Sequence, residues 1–111
     1  MDGTPGTGRE GSSAQAVARV VYSSNALANI ERVLDSFTDS PASALRAVTA
    51  IHSAVAMLEH HPLIGRIVSD EVRELVVSFG RSGYLVLYEH ISALDQVWTY
   101  AIRHQRELDY P

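Results

Sequence analysis

The 111-residue chain carries nine basic and thirteen acidic residues, a formal net charge of −4, and 46% of its residues are hydrophobic. This length fits one domain, and the acidic balance argues against a protein that coats nucleic acid. The absence of cysteine excludes disulfides, thiolate metal sites and a nucleophilic thiol. Because no apolar run approaches the roughly 20 residues that span a bilayer, and no secretion signal opens the chain, we expect a cytoplasmic protein without a membrane contact.

The N-terminal segment differs in composition from the rest of the chain. Residues 1–15 hold four of the seven glycines and no branched aliphatic residue. Such a segment cannot offset its ordering entropy by apolar burial, so we expect a disordered tail there and a single domain over residues 16–111. The β-branched run from Ala16 to Ser23 predicts a first strand that is mostly buried on both faces.

Two helices are predicted next. Ser23, Ser24 and Asn25 offer N-cap side chains for a helix over residues 25–38. After the break at Asp39 and Ser40, Pro41 is expected in the first turn of a second helix, and so short a link predicts an antiparallel hairpin. Each helix has one apolar stripe that we expect to face the core. The stripes are Leu27, Ile30, Val33, Leu34 and Phe37 in the first helix and Leu45, Val48, Ile51, Val55 and Leu58 in the second.

The remainder of the chain is β-like after a loop from His60 to Arg66. Three strands with short loops between them predict an antiparallel meander, and the helical hairpin can cover one of its faces. The expected fold is therefore α+β in the order β-α-α-β-β-β, with a mainly antiparallel small sheet packed on an α-helical hairpin. The strands are Val72–Phe79, Tyr84–Ile91 and Gln96 to about His104, with turns at Gly80–Gly83 and Ser92–Asp95.

Several polar, glycine and aromatic residues have simple structural interpretations. Gly65 is expected to supply a backbone angle that other residues resist. Arg73 is expected to pair with a helix carboxylate, Glu31 or Glu59. Cross-strand packing in the core is the expected role of the aromatic residues of the meander. These aromatic residues are Tyr84, Tyr88, Trp98 and Tyr100.

The five histidines do not predict a metal site. His60 and His61 are adjacent, so their side chains diverge on a helix, and the spacing of the zinc-binding HExxH motif is absent. The chain also lacks a glycine-rich phosphate loop, a nucleophile elbow and any cofactor fingerprint. We therefore expect no metal and no cofactor.

Five segments occur in an order that resembles the RelE/ParE superfamily of type II toxin–antitoxin toxins, also described as plasmid stabilisation proteins. The resemblance covers about residues 17–110 and implies a small growth-inhibitory toxin that forms a hetero-oligomer with a co-encoded antitoxin. The segments are Val21-Tyr22-Ser23, His61-Pro62-Leu63-Ile64-Gly65-Arg66, Val72-Arg73-Glu74-Leu75-Val76-Val77, Gly83-Tyr84-Leu85-Val86-Leu87-Tyr88 and Ile102-Arg103-His104-Gln105-Arg106-Glu107.

Two activities occur in this superfamily, so the resemblance leaves the target open. RelE-like members are ribosome-dependent mRNA endoribonucleases, whereas ParE-like members poison DNA gyrase and are not enzymes. Cleavage of RNA needs a proton acceptor for the ribose 2′-hydroxyl, cations on the phosphate and an acid for the leaving oxygen. If the chain is RelE-like, the resemblance assigns this chemistry to His104, Tyr110, Arg103 and Arg106. The structural alternative for the two arginines is an ion-pair cluster with Glu107 or Asp109.

Departures from the nuclease pattern favour the ParE-like activity slightly. The arginine that RelE-like enzymes carry after the Gly-Tyr pair is Leu85 here, and the chain has no lysine at all. The preceding strand offers Val76, Val77 and Ser78 where the nuclease would show lysines. A third hypothesis is a degenerate toxin whose remaining property is antitoxin binding.

The meander has apolar residues on both faces, which predicts a partner surface. Two helices can cover only one face, and an uncovered apolar face marks an interaction site. We expect an antitoxin segment to cover it as an amphipathic helix or an added strand, contacting Leu85 and Leu87. Arg81 and Arg103 at the rim are expected to pair with antitoxin carboxylates. The two alternating sets are Val72, Val76, Leu85, Leu87 and Ile91 against Leu75, Val77, Tyr84, Val86 and Tyr88.

Overall fold

The computed structural model describes residues 17–105, apart from the side chain of Ser82. The tail predicted for residues 1–15 lies outside the described residues, as do Arg106 and Tyr110 and the carboxylates Glu107 and Asp109. Neither helix of the described part is long and apolar enough to cross a membrane. The elements in chain order are β1 (Arg19–Tyr22), α1 (Ser24–Asp35), α2 (Pro41–Met57), β2 (Arg66–Ser69), β3 (Val72–Phe79), β4 (Ser82–Ile91) and β5 (Gln96–His104).

One sheet contains all the described strands, in the order β1-β5-β4-β3-β2. The pairs β2–β3, β3–β4 and β4–β5 are antiparallel, and β1 is parallel to β5. The predicted α+β fold and its meander are confirmed, and β4 begins two residues earlier than expected. The strand β2 was not predicted, because all four of its residues are exposed and no buried alternation marks it.

The helices pack on one face of the sheet, here called the inner face. Ile51, Val55 and Leu58 of the second helical segment are buried there as predicted. They meet the sheet residues of one alternating set, so the helices cover a single face as expected. The buried inner-face side chains of β3, β4 and β5 are Leu75, Val77, Tyr84, Val86, Tyr88, Val97 and Ile102.

The prediction that the helix leucines face the core is wrong for three of them. Leu27 is 52% exposed, Leu34 42% and Leu45 65%. The helices instead turn small residues towards their neighbours, because a short side chain lets two backbones approach closely. Helix α1 also ends at Asp35, three residues earlier than predicted. Val33 of the predicted stripe is buried as expected, and the residues buried in place of the leucines are Ala26 and Asn29 in α1 and Ala44 and Ala47 in α2.

The first strand is an edge strand rather than a strand buried on both faces. It is four residues long and pairs only with β5. Arg19 and the preceding Val17 are exposed, and no described strand pairs with the other side of β1. Ser23 then caps α1 as predicted, since its Oγ accepts the amide hydrogen of Ala26 at 3.0 Å.

Polar side chains around the start of α1 continue the pairing of β5 after β1 has ended at Tyr22. The hydroxyl of Ser23 and the side-chain amide of Asn25 both donate to the carbonyl of Tyr100 at 3.0 Å. The side-chain oxygen of the buried Asn29 accepts the amide hydrogen of Ile102 at 2.9 Å. The bond to Asn29 satisfies a buried backbone amide that would otherwise lack a partner. Asn29 therefore joins the helix to the sheet.

Hydrogen bonds attach the loop before β2 to the sheet. The amide of Gly65 donates to the hydroxyl of Tyr88 at 2.9 Å, and burial raises the pKa of that hydroxyl. Arg73 donates through Nη1 to the carbonyls of Leu63 at 3.0 Å and Gly65 at 2.7 Å. The expected pairing of Arg73 with a helix carboxylate is therefore wrong: the carbonyls in front of β2 lie nearer its guanidinium.

The reason for glycine at position 65 also differs from the prediction. A Cβ there would lie 2.8 Å from the carbonyl oxygen of Glu74 and 2.8 Å from the ring of Tyr88. Close approach of the loop to β3 and β4 excludes a side chain, and no unusual backbone angle is involved. The positive φ angles of the described residues lie elsewhere, at Asp70, Gly80 and Asp95.

Candidate functional site

The outer face of the sheet, opposite the helices, carries the second alternating set. Val76 is 54% exposed, and Leu87 is half-buried. Leu85, predicted as an antitoxin contact, is only 6% exposed in the free chain, so a partner gains little further burial from it. The outer face also includes residues brought there by the register of β4 and β5. These are Glu89, Trp98, Tyr100, Ala101 and Arg103.

The two arginines predicted to meet antitoxin carboxylates share one end of the sheet, here called the basic end. Arg81 is exposed in the turn between β3 and β4. Arg103 is exposed on β5, directly across from Leu85 of β4. Guanidinium groups present several fixed donors that suit carboxylates and phosphates. The basic end can therefore bind an acidic partner segment or a phosphate backbone.

His104 does not join Arg103 at the basic end. It pairs across the strands with Tyr84, whose side chain is buried on the inner face, and the two rings meet edge to face at 5.3 Å. Successive residues of a strand point to opposite faces of a sheet. The described half of the predicted nuclease set, Arg103 and His104, is therefore divided between the two faces.

The neighbouring positions for which the resemblance to RelE-like nucleases implies cations are uncharged. Leu85 is buried, and its cross-strand neighbour on β3 is Val76. Val77 faces the core, where it is buried among inner-face side chains. The outer face beside the basic end thus presents Val76 and the neutral hydroxyl of Ser78 rather than a second cation, and neither carries a positive charge for the developing charge of a cleaved phosphodiester.

The other end of the outer face combines an acid with two aromatic rings. Leu87 pairs with Ala101 and Tyr88 with Thr99, so a bulge leaves Tyr100 as the extra residue of β5. The Tyr100 hydroxyl donates to Oε1 of Glu89 at 2.8 Å. Burial, and then this bond to Glu89 and the negative charge of its carboxylate, raise the pKa of Tyr100.

Trp98 and Tyr100 are therefore not core residues, which corrects their predicted role. The indole N–H of Trp98 donates to Oε1 of Gln96 at 2.9 Å, on the same face. Only Tyr84 and Tyr88 of the four aromatic residues lie in the core. The bulge places Tyr100 beside Glu89, and nothing in the alternation of the sequence indicates a bulge. The cluster of Glu89, Trp98 and Tyr100 could not be predicted for that reason.

Exposed apolar side chains also occur away from the outer face. On α1, Leu27 and Leu34 are seven residues apart and so lie along one side of the helix. Near the free edge of β2, an open groove of about 400 Å³ is lined by His61, Pro62, Leu63 and Ile64. These surfaces offer exposed apolar area away from the outer face. Among residues 17–105, no group of three His, Asp or Glu side chains is arranged to hold a metal ion.

The sequence profile of one protein family matches residues 20–109, and that family is described as the ParE toxin of the type II toxin–antitoxin system parDE. Toxin RelE3 of Caulobacter vibrioides is 40% identical over 68 residues, which are 61% of this chain and 72% of that toxin. A chain of the chromosomal ParDE TA system from P. aeruginosa superposes with a TM-score of 0.68. It is 19% identical, and the match covers 81% of this chain and 98% of that one.

Proposed function

The chain belongs to the ParE toxin family of type II toxin–antitoxin systems, and we propose that it inhibits growth by poisoning DNA gyrase unless its antitoxin is bound. The main support for gyrase as the target is that Arg103 and His104 lie on opposite faces of the sheet. A nuclease site needs its cation and its proton-transfer group around one phosphate. The two described candidates do not converge in that way.

The RelE-like alternative has support of its own. The relative from Caulobacter vibrioides is named Toxin RelE3, and the basic end offers two exposed arginines. In that case the target is mRNA on the ribosome, with Arg103 and Arg106 on the phosphate and His104 and Tyr110 in proton transfer. A degenerate toxin that only binds its antitoxin is the remaining alternative.

Induction of the chain in a bacterial host without its antitoxin separates these functions. If gyrase is poisoned, we expect pulse-labelled DNA synthesis to fail and an SOS response to appear before protein synthesis declines. Prompt loss of translation with cut transcripts would instead establish the nuclease. If growth is unaffected although the protein is present at its normal level, the degenerate toxin is the hypothesis that remains.

Substitution of the candidate nuclease residues tests the same choice at the level of side chains. We expect the triple variant Arg103→Ala, His104→Ala and Tyr110→Ala to arrest growth about as well as the parent, because gyrase poisoning does not use a proton-transfer set. Growth arrest is measured as colony-forming units after induction. Arg32→Ala, on the opposite side of the sheet, controls for charge and expression. Loss of arrest in the folded triple variant alone would favour the nuclease.

An antitoxin segment on the outer face is the second part of the proposal. Leu87 and Val76 supply apolar surface there, and Arg81 and Arg103 supply cations at one end. We expect antitoxin binding to slow amide hydrogen exchange mainly in β4 and β5. Exchange is followed by mass spectrometry of peptides from the free and bound chain. Protection confined to the side of α1 that carries Leu27 and Leu34 would place the antitoxin on the helices instead.

A further inference from the structure

Glu89 is a half-buried carboxylate, and no cation of residues 17–105 pairs with it. It lies on the outer face of the central strand β4, directly across from Trp98 of β5. Its side-chain contact within residues 17–105 is the neutral hydroxyl of Tyr100. Glu74, on the same face of β3, differs because Arg66 lies 3.0 Å from its carboxylate. Of these two neighbouring acids, Glu74 has an arginine partner, and Glu89 has none in the part of the chain that the structure describes.

Hydrogen bonds hold the groups around this charge in place. The Tyr100 hydroxyl is bound to Oε1 of Glu89, which fixes both side chains, and the second carboxylate oxygen stays available. The indole N–H of Trp98 is already used by Gln96. Trp98 can therefore offer a partner only its π surface. A site that is organised before binding loses less conformational entropy when the partner arrives.

A carboxylate beside two aromatic rings suits a guanidinium or an ammonium group. The cation pairs with the carboxylate and lies against the electron-rich ring faces. A neutral apolar partner would instead bury the carboxylate without compensation, which costs several kcal/mol in proteins. A partner that covers this part of the outer face therefore matches it best if it brings a positive charge.

We propose that Glu89, Trp98 and Tyr100 form a receptor site for an arginine or lysine side chain of the antitoxin. The choice of the antitoxin as occupant rests on the function proposed above. Because Arg81 and Arg103 lie at the opposite end of the same face, the site also sets the direction of the bound segment. Its acidic residues face the basic end, and its cation faces Glu89.

The register gives the spacing that such a segment needs. Arg103 lies across from Leu85, four residues before Glu89 on β4, so the two charged positions are about 13 Å apart at the usual rise of a strand. An extended antitoxin strand would span this distance with about four residues. An antitoxin helix would need about nine residues.

The single tryptophan of the chain makes the site measurable in the free protein. N-acetylarginine amide is expected to change Trp98 fluorescence in a saturable way, with a dissociation constant on the order of millimolar. The uncharged analogue N-acetylcitrulline amide is expected to cause no saturable change. Glu89→Gln keeps the size and an acceptor for Tyr100 but removes the charge, and should weaken binding about tenfold.

The matched control is Glu31→Gln, on the exposed surface of α1, which should leave the titration unchanged. Equal responses to the arginine and citrulline amides would overturn the cation site. So would binding that Glu89→Gln leaves intact. This titration needs neither toxicity nor antitoxin, so its result is separate from the result of the induction experiment.

A second measurement tests the antitoxin as the occupant. Glu89→Arg places a like charge against the incoming cation, so this variant should arrest growth even when the co-encoded antitoxin is expressed with it. Glu31→Arg should be neutralised as the parent is. If the antitoxin rescues Glu89→Arg as fully as the parent, the antitoxin does not use this site.

Discussion

Replacing Gly83 with alanine is expected to lower the free energy of unfolding by about 4 kcal/mol, a large part of the roughly 5–15 kcal/mol that stabilises an ordinary domain. A Cβ at this position would lie 2.2 Å from the carbonyl oxygen of Val77. The three atoms nearest to this Cβ all belong to the backbone of Val77 and Ser78. They lie so close because Gly83 pairs with Ser78 in the β3–β4 ladder. The strand can relieve the overlap only by breaking that ladder, next to the core pair of Val77 and Tyr84.

Gly80 provides the matched control within the same turn. A Cβ at Gly80 meets nothing within 4 Å, but its φ is +64°, so Gly80→Ala should cost only about 1 kcal/mol. Urea unfolding of both variants, followed by circular dichroism and Trp98 fluorescence, gives the comparison. A smaller loss for Gly83→Ala than for Gly80→Ala would show that the two strands adjust to a side chain at position 83.

Gly65→Ala is expected to lower the free energy of unfolding by about 3 kcal/mol, because the same kind of overlap occurs at the other end of β3. Here the new methyl group meets the carbonyl oxygen of Glu74 and the fully buried ring of Tyr88, each at 2.8 Å. Relief requires the loop to withdraw, which also breaks the hydrogen bond from the Gly65 amide to the Tyr88 hydroxyl. Urea unfolding measures this loss as well.

Tyr88→Phe separates the two components of the Gly65 effect. It keeps the ring but leaves the buried amide of Gly65 without an acceptor, at a cost of about 1–3 kcal/mol. We therefore expect Tyr88→Phe to be less damaging than Gly65→Ala. If Gly65→Ala were as stable as the parent, the close approach of the loop to β3 and β4 would not be a constraint on folding.

The strands of the meander could be predicted because their alternation reports directly which side chains are buried. The helix stripes could be predicted only in part: Ile51, Val55 and Leu58 are buried as expected, but hydrophobicity alone also selects Leu27 and Leu45, where close packing selects the small residues beside them. Strand β2 has no buried face to produce a pattern. Its pairing with β3 is a tertiary interaction that local sequence does not encode.

For the candidate site, the separation of Arg103 from His104 follows from the assignment of Gln96–His104 as one strand, because adjacent residues of a strand face opposite sides. The cluster at Glu89 depends on the bulge opposite Leu87 and Tyr88, which changes the register by one residue. A one-residue change moves side chains to the other face, so Tyr100 could not be assigned from alternation alone.

The parallel pairing of β1 with β5 affects how the chain folds as it is synthesised. It joins residues 19–22 to residues 96–99, and Asn29 bonds to Ile102 across 73 positions. Until the ribosome has made β5, the first strand has no neighbour in the sheet, and β4 lacks one of its two. Contacts this distant in sequence form late because the intervening chain must first be closed. Strand β5 therefore completes the described sheet, and a nascent chain cannot reach this fold before residues 96–104 have left the exit tunnel.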